Sequence, residues 1–254
     1  MIEKYGKARL DLSNWNGNNS LSAGDIETEI LCRLKAGEDP LHILADDTRY
    51  PVLYNFSPER RNILDWYPFR KDMRVLEAGA GMGALTGMLC EKCGEVTALD
   101  PSRIRSEINA IRHKDKGNLT VCVCDFEDFN PGLKYDAVIL IGAMEQAALF
   151  FGGRAPFQDM LGYLKNLLKD DGVLLLATEN RYGIKYFSGA REGNNGLLYS
   201  GLEGYPDRHS AKHSERCVRS VVHFYDQTTV LQRCSRSSQP DRQIRTRVRC
   251  TPVY

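Results

Sequence analysis

Val75-Leu76-Glu77-Ala78-Gly79-Ala80-Gly81-Met82-Gly83 is the stretch on which the fold turns. It reads as a buried strand ending in an acid, followed by three glycines spaced by two and the start of a helix. Glycine permits a tight turn and a close backbone approach to a ligand, and N–H groups left free at a helix start attract negative or polar groups. The spacing alone does not choose the ligand, because Gly79-x-Gly81-x-x-Ala84 also satisfies the loose dinucleotide fingerprint.

Outward from this turn, short apolar runs alternate with helical segments, the pattern of a parallel sheet built from βαβ units. Strands are predicted over 74–78, 95–100, 119–125, 135–142 and 172–178, and helices over 84–93, 102–114 and 156–169. In the last helix Leu161, Leu164, Leu167 and Leu168 form an apolar stripe that Gly172 should end. The expected fold is α/β, a Rossmann-like mostly parallel sheet with helices on both faces, an N-terminal helical extension and an atypical C-terminal tail.

Upstream, the opening through Asn14-Trp15-Asn16-Gly17-Asn18-Asn19 reads as loop. Ile26, Ile30, Leu31 and Leu34 then recur at helical spacing behind the potential caps Ser22 and Asp25, with Gly37 and Pro40 as stops. Ser57-Pro58-Glu59 ahead of Ile63, Leu64 and Trp66 marks a second helix start. Three segments are expected: 1–56 as a helical and loop extension, 57–207 as the ligand-binding domain, and 208–254 as a basic tail, either disordered or an incomplete domain end.

A chain of 254 residues with 42% hydrophobic content can bury a substantial core. The Met1-Ile2-Glu3-Lys4 start opens no apolar stretch and eighteen apolar residues never run together, so neither a signal peptide nor a membrane span is expected and the location should be cytoplasmic. Eight cysteines in such a chain should be reduced thiols, and Cys90 and Cys93 have CxxC spacing without the second pair that zinc requires. The net charge of +1 hides an asymmetry, since residues 208–254 carry 10 Lys and Arg against 3 Asp and Glu. In that tail only 221–225 and 228–231 look strand-like, as a weak hairpin. The tail fits a frame-shifted or truncated translation or a divergent basic extension. It lacks interleaved aromatic platforms, so nucleic acid is not the expected partner.

Three acids stand at successive strand ends: Glu77, Asp100 and Asp125. Ligands of open parallel sheets bind beyond the carboxyl ends of the strands, so the three should line one crevice. Read singly, a strand-end acid such as Asp100 before Pro101-Ser102 could simply cap the next helix. Together with the glycine turn, the arrangement resembles class I S-adenosylmethionine-dependent methyltransferases. That resemblance implies S-adenosylmethionine as cofactor, with Glu77, Ala78, Gly79, Gly81 and Gly83 at its methionine end. It implies Asp100 on the ribose hydroxyls, Asp125 on the adenine amino group with Phe126 flanking the base, and Gly142 completing the set.

The stretch Glu179-Asn180-Arg181-Tyr182-Gly183-Ile184-Lys185-Tyr186-Phe187-Ser188-Gly189 narrows the resemblance. With Leu140-Ile141-Gly142, Gly201-Leu202-Glu203-Gly204-Tyr205-Pro206, the Ser13-Asn14-Trp15-Asn16-Gly17 opening and Ser57-Pro58-Glu59-Arg60, it is similar to a bacterial methyltransferase subgroup associated with glycosyltransferases of cell-surface polysaccharide synthesis. The similarity covers about 11–206 and fades beyond His209. It implies a sugar, glycan or other small-molecule acceptor and a glycosyltransferase partner.

Methyl transfer from a sulfonium is an in-line displacement in which alignment supplies much of the rate, and a hydroxyl nucleophile also wants a base. Glu145, three residues past Gly142, is the candidate catalytic base, against the plainer reading of a bonded loop carboxylate. Asn180, Arg181 and Lys185 could shape the acceptor pocket. Two alternatives stand beside this reading: an NAD-dependent oxidoreductase, which has less use for Asp125, and a non-catalytic cofactor-binding subunit of a glycan-assembly complex.

Overall fold

The structure is a computed structural model and describes residues 1–17, 24–151, 155–178, 182–191 and 196–203, together with the backbone of 230–233. It divides into two compact units, Met1–Ile139 and Leu140–Tyr254.

The first unit contains β1 (Ile2–Tyr5), β2 (Ala8–Asp11), β3 (Arg74–Ala78), β4 (Glu95–Asp100), β5 (Leu119–Val123) and most of β6 (Tyr135–Ile141). They lie in the order β1-β2-β5-β4-β3-β6. Strands β2, β5, β4 and β3 run parallel, while β1 turns back antiparallel on β2. Parallel strands covered on both faces need near-continuous apolar runs. Accordingly Val75, Leu76, Val96, Ala98, Leu99, Leu119 and Val121 are fully buried. Helix α4 (Thr86–Lys92) connects β3 to β4, and α5 (Arg103–Arg112) connects β4 to β5. The architecture is a mixed, mostly parallel sheet with helices, Rossmann-like as expected. The registers Ala78↔Leu99 and Asp100↔Val123 set the carboxyl ends of β3, β4 and β5 side by side.

Strands 74–78 and 95–100 fall where the sequence put them, and those at 119–125 and 135–142 stop slightly earlier. The opening, expected as loop, instead forms the β1–β2 hairpin. Each strand has four residues, too short for alternation to stand out, yet Ala8 and Leu10 are fully buried and β2 pairs with β5. Lys7 N–H donates to Lys114 O at 2.6 Å just past α5.

Helix α1 (Asp25–Lys35) forms as predicted; Ser22 lies outside the described residues. Pro40, expected as a stop, is the first residue of α2 (Pro40–Asp46). Proline suits that position because its missing N–H would be unsatisfied there anyway, and Asp39 caps the helix by accepting from Leu41 N–H at 2.7 Å. Helix α3 (Tyr50–Phe56) follows, and the helix expected from Ser57 is a 3₁₀ turn over Pro58–Ile63. Ile30, Leu31, Leu34, Ile43, Val52 and Phe56 cluster with Met82 and with Ile108 of α5. The N-terminal helices are thus packed directly on the glycine turn.

The second unit begins with the last two residues of β6. It continues through a 3₁₀ turn at Met144–Gln146, α6 (Ala147–Phe150), α7 (Pro156–Asn166), β7 (Leu168–Ala177), α8 (Ile184–Phe187) and β8 (Val230–Arg233). Strand β8 pairs antiparallel with β7. The helix expected over 156–169 ends at Asn166, and Leu168 already opens β7. Gly172, expected to end that helix, is buried inside the strand, and the Lys169-Asp170-Asp171 run before it is exposed. The first arm of the expected tail hairpin lies outside the described residues; Val230 and Leu231 of the second arm belong to β8, paired with β7. Among the described residues no helix is long and apolar enough to cross a membrane.

Candidate functional site

The glycine turn follows β3 with Gly79, Gly81 and Gly83 all at positive φ. It is fastened to the end of β4, since Gly79 and Ala80 N–H both donate to Leu99 O, at 2.8 and 3.0 Å. Gly81 N–H donates to Asp100 Oδ2 at 2.9 Å, and Gly83 N–H to Ala80 O at 3.0 Å. The expectation of amides left free at a helix start is therefore corrected. Helix α4 starts only at Thr86, and these four donors are engaged with protein acceptors.

Two of the glycines face different surroundings. A Cβ on Gly81, at φ +54°, would have one described heavy atom within 4 Å, Asn55 Oδ1 at 3.8 Å, so this position looks into open space. A Cβ on Gly83, at φ +83°, would lie 2.3 Å from Asn109 Oδ1 and 3.0 Å from His113 Nε2. Gly81 leaves room for a ligand, whereas the room at Gly83 is filled by α5.

Glu77 is buried, and its Oε2 accepts from Thr86 Oγ1 at 2.5 Å. Thr86 Oγ1 in turn accepts from Asn109 Nδ2 at 3.0 Å, which directs its single proton at the carboxyl. Burial pushes the Glu77 carboxyl up to about 8, with neighbouring Asp100 adding to the rise and the Thr86 hydrogen bond and Arg112 opposing it. Ala78 beside it is buried.

Asp100 closes β4 with both oxygens in use. Oδ2 takes the Gly81 N–H, and Oδ1 takes the Ser102 N–H at 2.9 Å, where Ser102 caps α5 by accepting from Arg105 N–H at 3.4 Å. The cap of α5 is therefore Ser102 and not Asp100, whose carboxyl instead joins the glycine turn to the capping residue. Burial raises it from the usual carboxylate range, opposed by the Arg105 charge and the two backbone donors.

Asp125 lies two residues past β5. Cys124 N–H donates to Asp100 O at 3.4 Å, which brings this exit beside that of β4. Its Oδ2 accepts from Asn16 Nδ2 at 2.9 Å in an exposed setting. Phe126 is buried with 1% exposure, so its ring offers no open face for a base to stack on.

Several residues around the turn carry no sequence signal of a site. Arg112 donates to Met82 O and lies with its guanidinium carbon 4.1 Å from the Phe56 ring centroid. His113 Nε2 stands 3.0 Å from Gly83 O. Burial, then Arg112, pushes His113 down to about 4, so the ring is neutral, and because a carbonyl only accepts, Nε2 carries the proton. The helical spacing of Asn109 and His113, with Arg112 between, marks one face of α5 in retrospect. Cys90 and Cys93 are buried, their thiols pushed by burial up to about 12 and about 11.

In the second unit, Gly142 at φ +68° donates its N–H to Ala177 O at 2.9 Å, and Glu145 Oε1 accepts from Thr178 Oγ1 at 2.7 Å. Lys185 lies 4.8 Å from the Tyr186 ring centroid. Glu179, Asn180 and Arg181 are outside the described residues.

Residues 76–174 match the model of a family described as a methyltransferase domain, a stretch that runs from β3 to β7 and includes the glycine turn, Asp100, Asp125 and Glu145. Among solved structures, the chain is similar to DhpI in complex with SAH at 20% identity and a TM-score of 0.42, over 60% of this chain and 66% of that one. It is similar to phosphoethanolamine N-methyltransferase 1 of Haemonchus contortus, in complex with phosphoethanolamine and S-adenosylhomocysteine. The identity there is 19% and the TM-score 0.46, over 62% of this chain and 34% of that one. The N-methyltransferase NodS of Bradyrhizobium japonicum WM9, in complex with S-adenosyl-L-homocysteine, is similar at 18% identity and a TM-score of 0.40, over 59% and 72%. The chain spans less than two thirds of the length of the first two. No curated protein matches. The stretch that matches the methyltransferase-domain model is the one that carries β3, β4 and β5, the glycine turn and the acids at the strand ends.

Proposed function

We propose that the protein transfers the methyl group of S-adenosylmethionine to a sugar, glycan or other small-molecule acceptor, with the cofactor held over the carboxyl ends of β3, β4 and β5. The observation that carries this reading is the open face of Gly81 beside two buried carboxyl groups, Glu77 and Asp100. These residues suit the cofactor chemically. A ligand bearing an ammonium and a sulfonium offers positive charge to carboxyls that burial pushes towards the neutral form, so ligand and carboxylate stabilise one another.

When bound, the cofactor supplies a methyl group already activated on a positively charged sulfur. The chain's own residues then have separable tasks. Glu77 meets the cationic methionine end, and Gly79 and Gly81 let the backbone come close. Asp100 keeps unused lone pairs for ribose hydroxyls while fixing the turn through Gly81 N–H. Asp125 accepts from the adenine amino group, and Gly83 keeps the turn seated on α5. Glu145, steadied by Thr178, is assigned as the base that takes the proton of an acceptor hydroxyl.

The acceptor class and a glycosyltransferase partner rest on the sequence resemblance, a methyltransferase domain spanning 57–207 on the pattern of strands and helices, and a cytoplasmic location on a sequence with no long apolar run. Incubating the protein with methyl-labelled cofactor and a cell extract, then separating glycans, lipids, proteins and RNA, tests the reading. Label should enter the glycan or small-molecule fraction and be absent with Gly81→Val. Tight cofactor binding with no label anywhere and a copurifying glycosyltransferase would instead favour the non-catalytic subunit.

A further inference from the structure

Three side chains from one end of α5 grip the cofactor turn and its continuation: Asn109 through Thr86, Arg112 at Met82 O and His113 at Gly83 O. Arg112 differs from the other two because it also meets the N-terminal helices. Its guanidinium lies against the Phe56 ring of α3, and its Nε is buried without a hydrogen-bond partner. Met82, whose carbonyl it holds, inserts its own side chain into the cluster made by α1, α2 and α3. A buried cation is costly to keep unless its position does something a neutral side chain would not. Here it lies close enough to Glu77 for the two charges to influence each other, and no carboxylate among the described residues pairs with it directly.

We propose that Arg112 is a positioning residue for cofactor binding: clamped between Phe56 and the Met82 carbonyl, it fixes the glycine turn and makes cofactor affinity depend on the packing of the N-terminal helices. This rests on the cofactor reading above and adds two residues to it. A peptide unit held by a planar, multi-donor group cannot flip, and the amide of Gly81, one residue before, is held by Asp100 from the other side. The charge has a second effect. The groups that bear on Glu77 are Thr86, Asp100, Arg112 and Cys90, and Arg112 is the cation among them. Its removal makes Glu77 harder to ionise.

The test is calorimetric titration of the full chain with S-adenosylhomocysteine between pH 6 and pH 9, for the wild type, Arg112→Ala, Arg112→Lys and Phe56→Leu, with melting temperature recorded for each. Arg112→Ala is expected to bind at least about tenfold more weakly, to recover on adding millimolar methylguanidinium, and to shift its binding profile to higher pH. Arg112→Lys, which keeps the charge without the stacked fork, should bind more weakly than wild type on an unshifted profile. Phe56→Leu should lose affinity without a pH shift. Equal affinity in all four proteins, or a loss in Arg112→Ala that follows melting temperature and ignores methylguanidinium, overturns the proposal. If Arg112→Ala does not fold, wild-type affinity in Arg112→Lys overturns it equally. A wild type that binds no S-adenosylhomocysteine overturns the underlying cofactor reading instead.

Discussion

The exits of β3 and β4 and the exit of β5 are neighbours, yet they are built in opposite ways. At the first two, Glu77 and Asp100 are buried and each carboxyl is tied into the fold, through Thr86 for one and through two backbone amides for the other. At the third, Asp125 is partly exposed and accepts from an amide side chain of a distant segment, Asn16. Burial makes a carboxyl group both a structural part and a pH-sensitive one, while exposure leaves it screened and replaceable. The rigid end of the crevice should therefore tolerate little, and the open end much.

The largest effect is expected at Gly83→Val, which would put side-chain atoms into Asn109 and His113 at a positive φ. It should cost about 3 kcal/mol or more of stability and is checked by chemical denaturation. Asp100→Ala comes next. It strands the amides of Gly81 and Ser102, so about 2 kcal/mol of stability should go with a weakening of cofactor binding by about 1–3 kcal/mol.

Glu77→Gln sharpens the contrast through pH. With Glu77 pushed up to about 8, the folded chain keeps a proton that the unfolded chain gives up near 4.5, so wild-type stability should fall as pH rises between those values. In Glu77→Gln that part of the slope should vanish, seen as a shallower loss of melting temperature from pH 5 to pH 8. The smallest effect belongs to Asp125→Asn at the open exit, about 0.5–1 kcal/mol of cofactor affinity and no measurable loss of stability. A larger loss of stability there than at Asp100 would break the comparison.

The buried strands were legible in the sequence because each is a continuous apolar run between glycine or polar punctuation, as with Val75-Leu76 and Val138-Ile139-Leu140. The β1–β2 hairpin was not, because four-residue strands show too little alternation and β2 earns its place only by pairing with β5, more than a hundred positions away. Pro40 misled for a local reason, since a proline that stops one helix also suits the first turn of another. Leu167 and Leu168 continued a helical stripe in the sequence while the chain had already turned into β7. At the candidate site, the three acids and the glycines could be read from spacing. The parts played by Arg112, His113 and Asn109 could not, because Arg112 and His113 reach back 30 residues and Asn109 reaches back 23, from the far end of α5 to the turn and its continuation. Gly83 shows the same limit: its spacing matches Gly81, and only the packing of α5 separates them.

The central claim is that the open face of Gly81 receives S-adenosylmethionine. Calorimetric titration of wild type and Gly81→Val with S-adenosylhomocysteine and, separately, with NAD tests it most directly. Saturable binding of S-adenosylhomocysteine to wild type, absent in a folded Gly81→Val and with no response to NAD, is the predicted result. Binding of NAD alone, or equal affinity for S-adenosylhomocysteine in the two proteins, would contradict it.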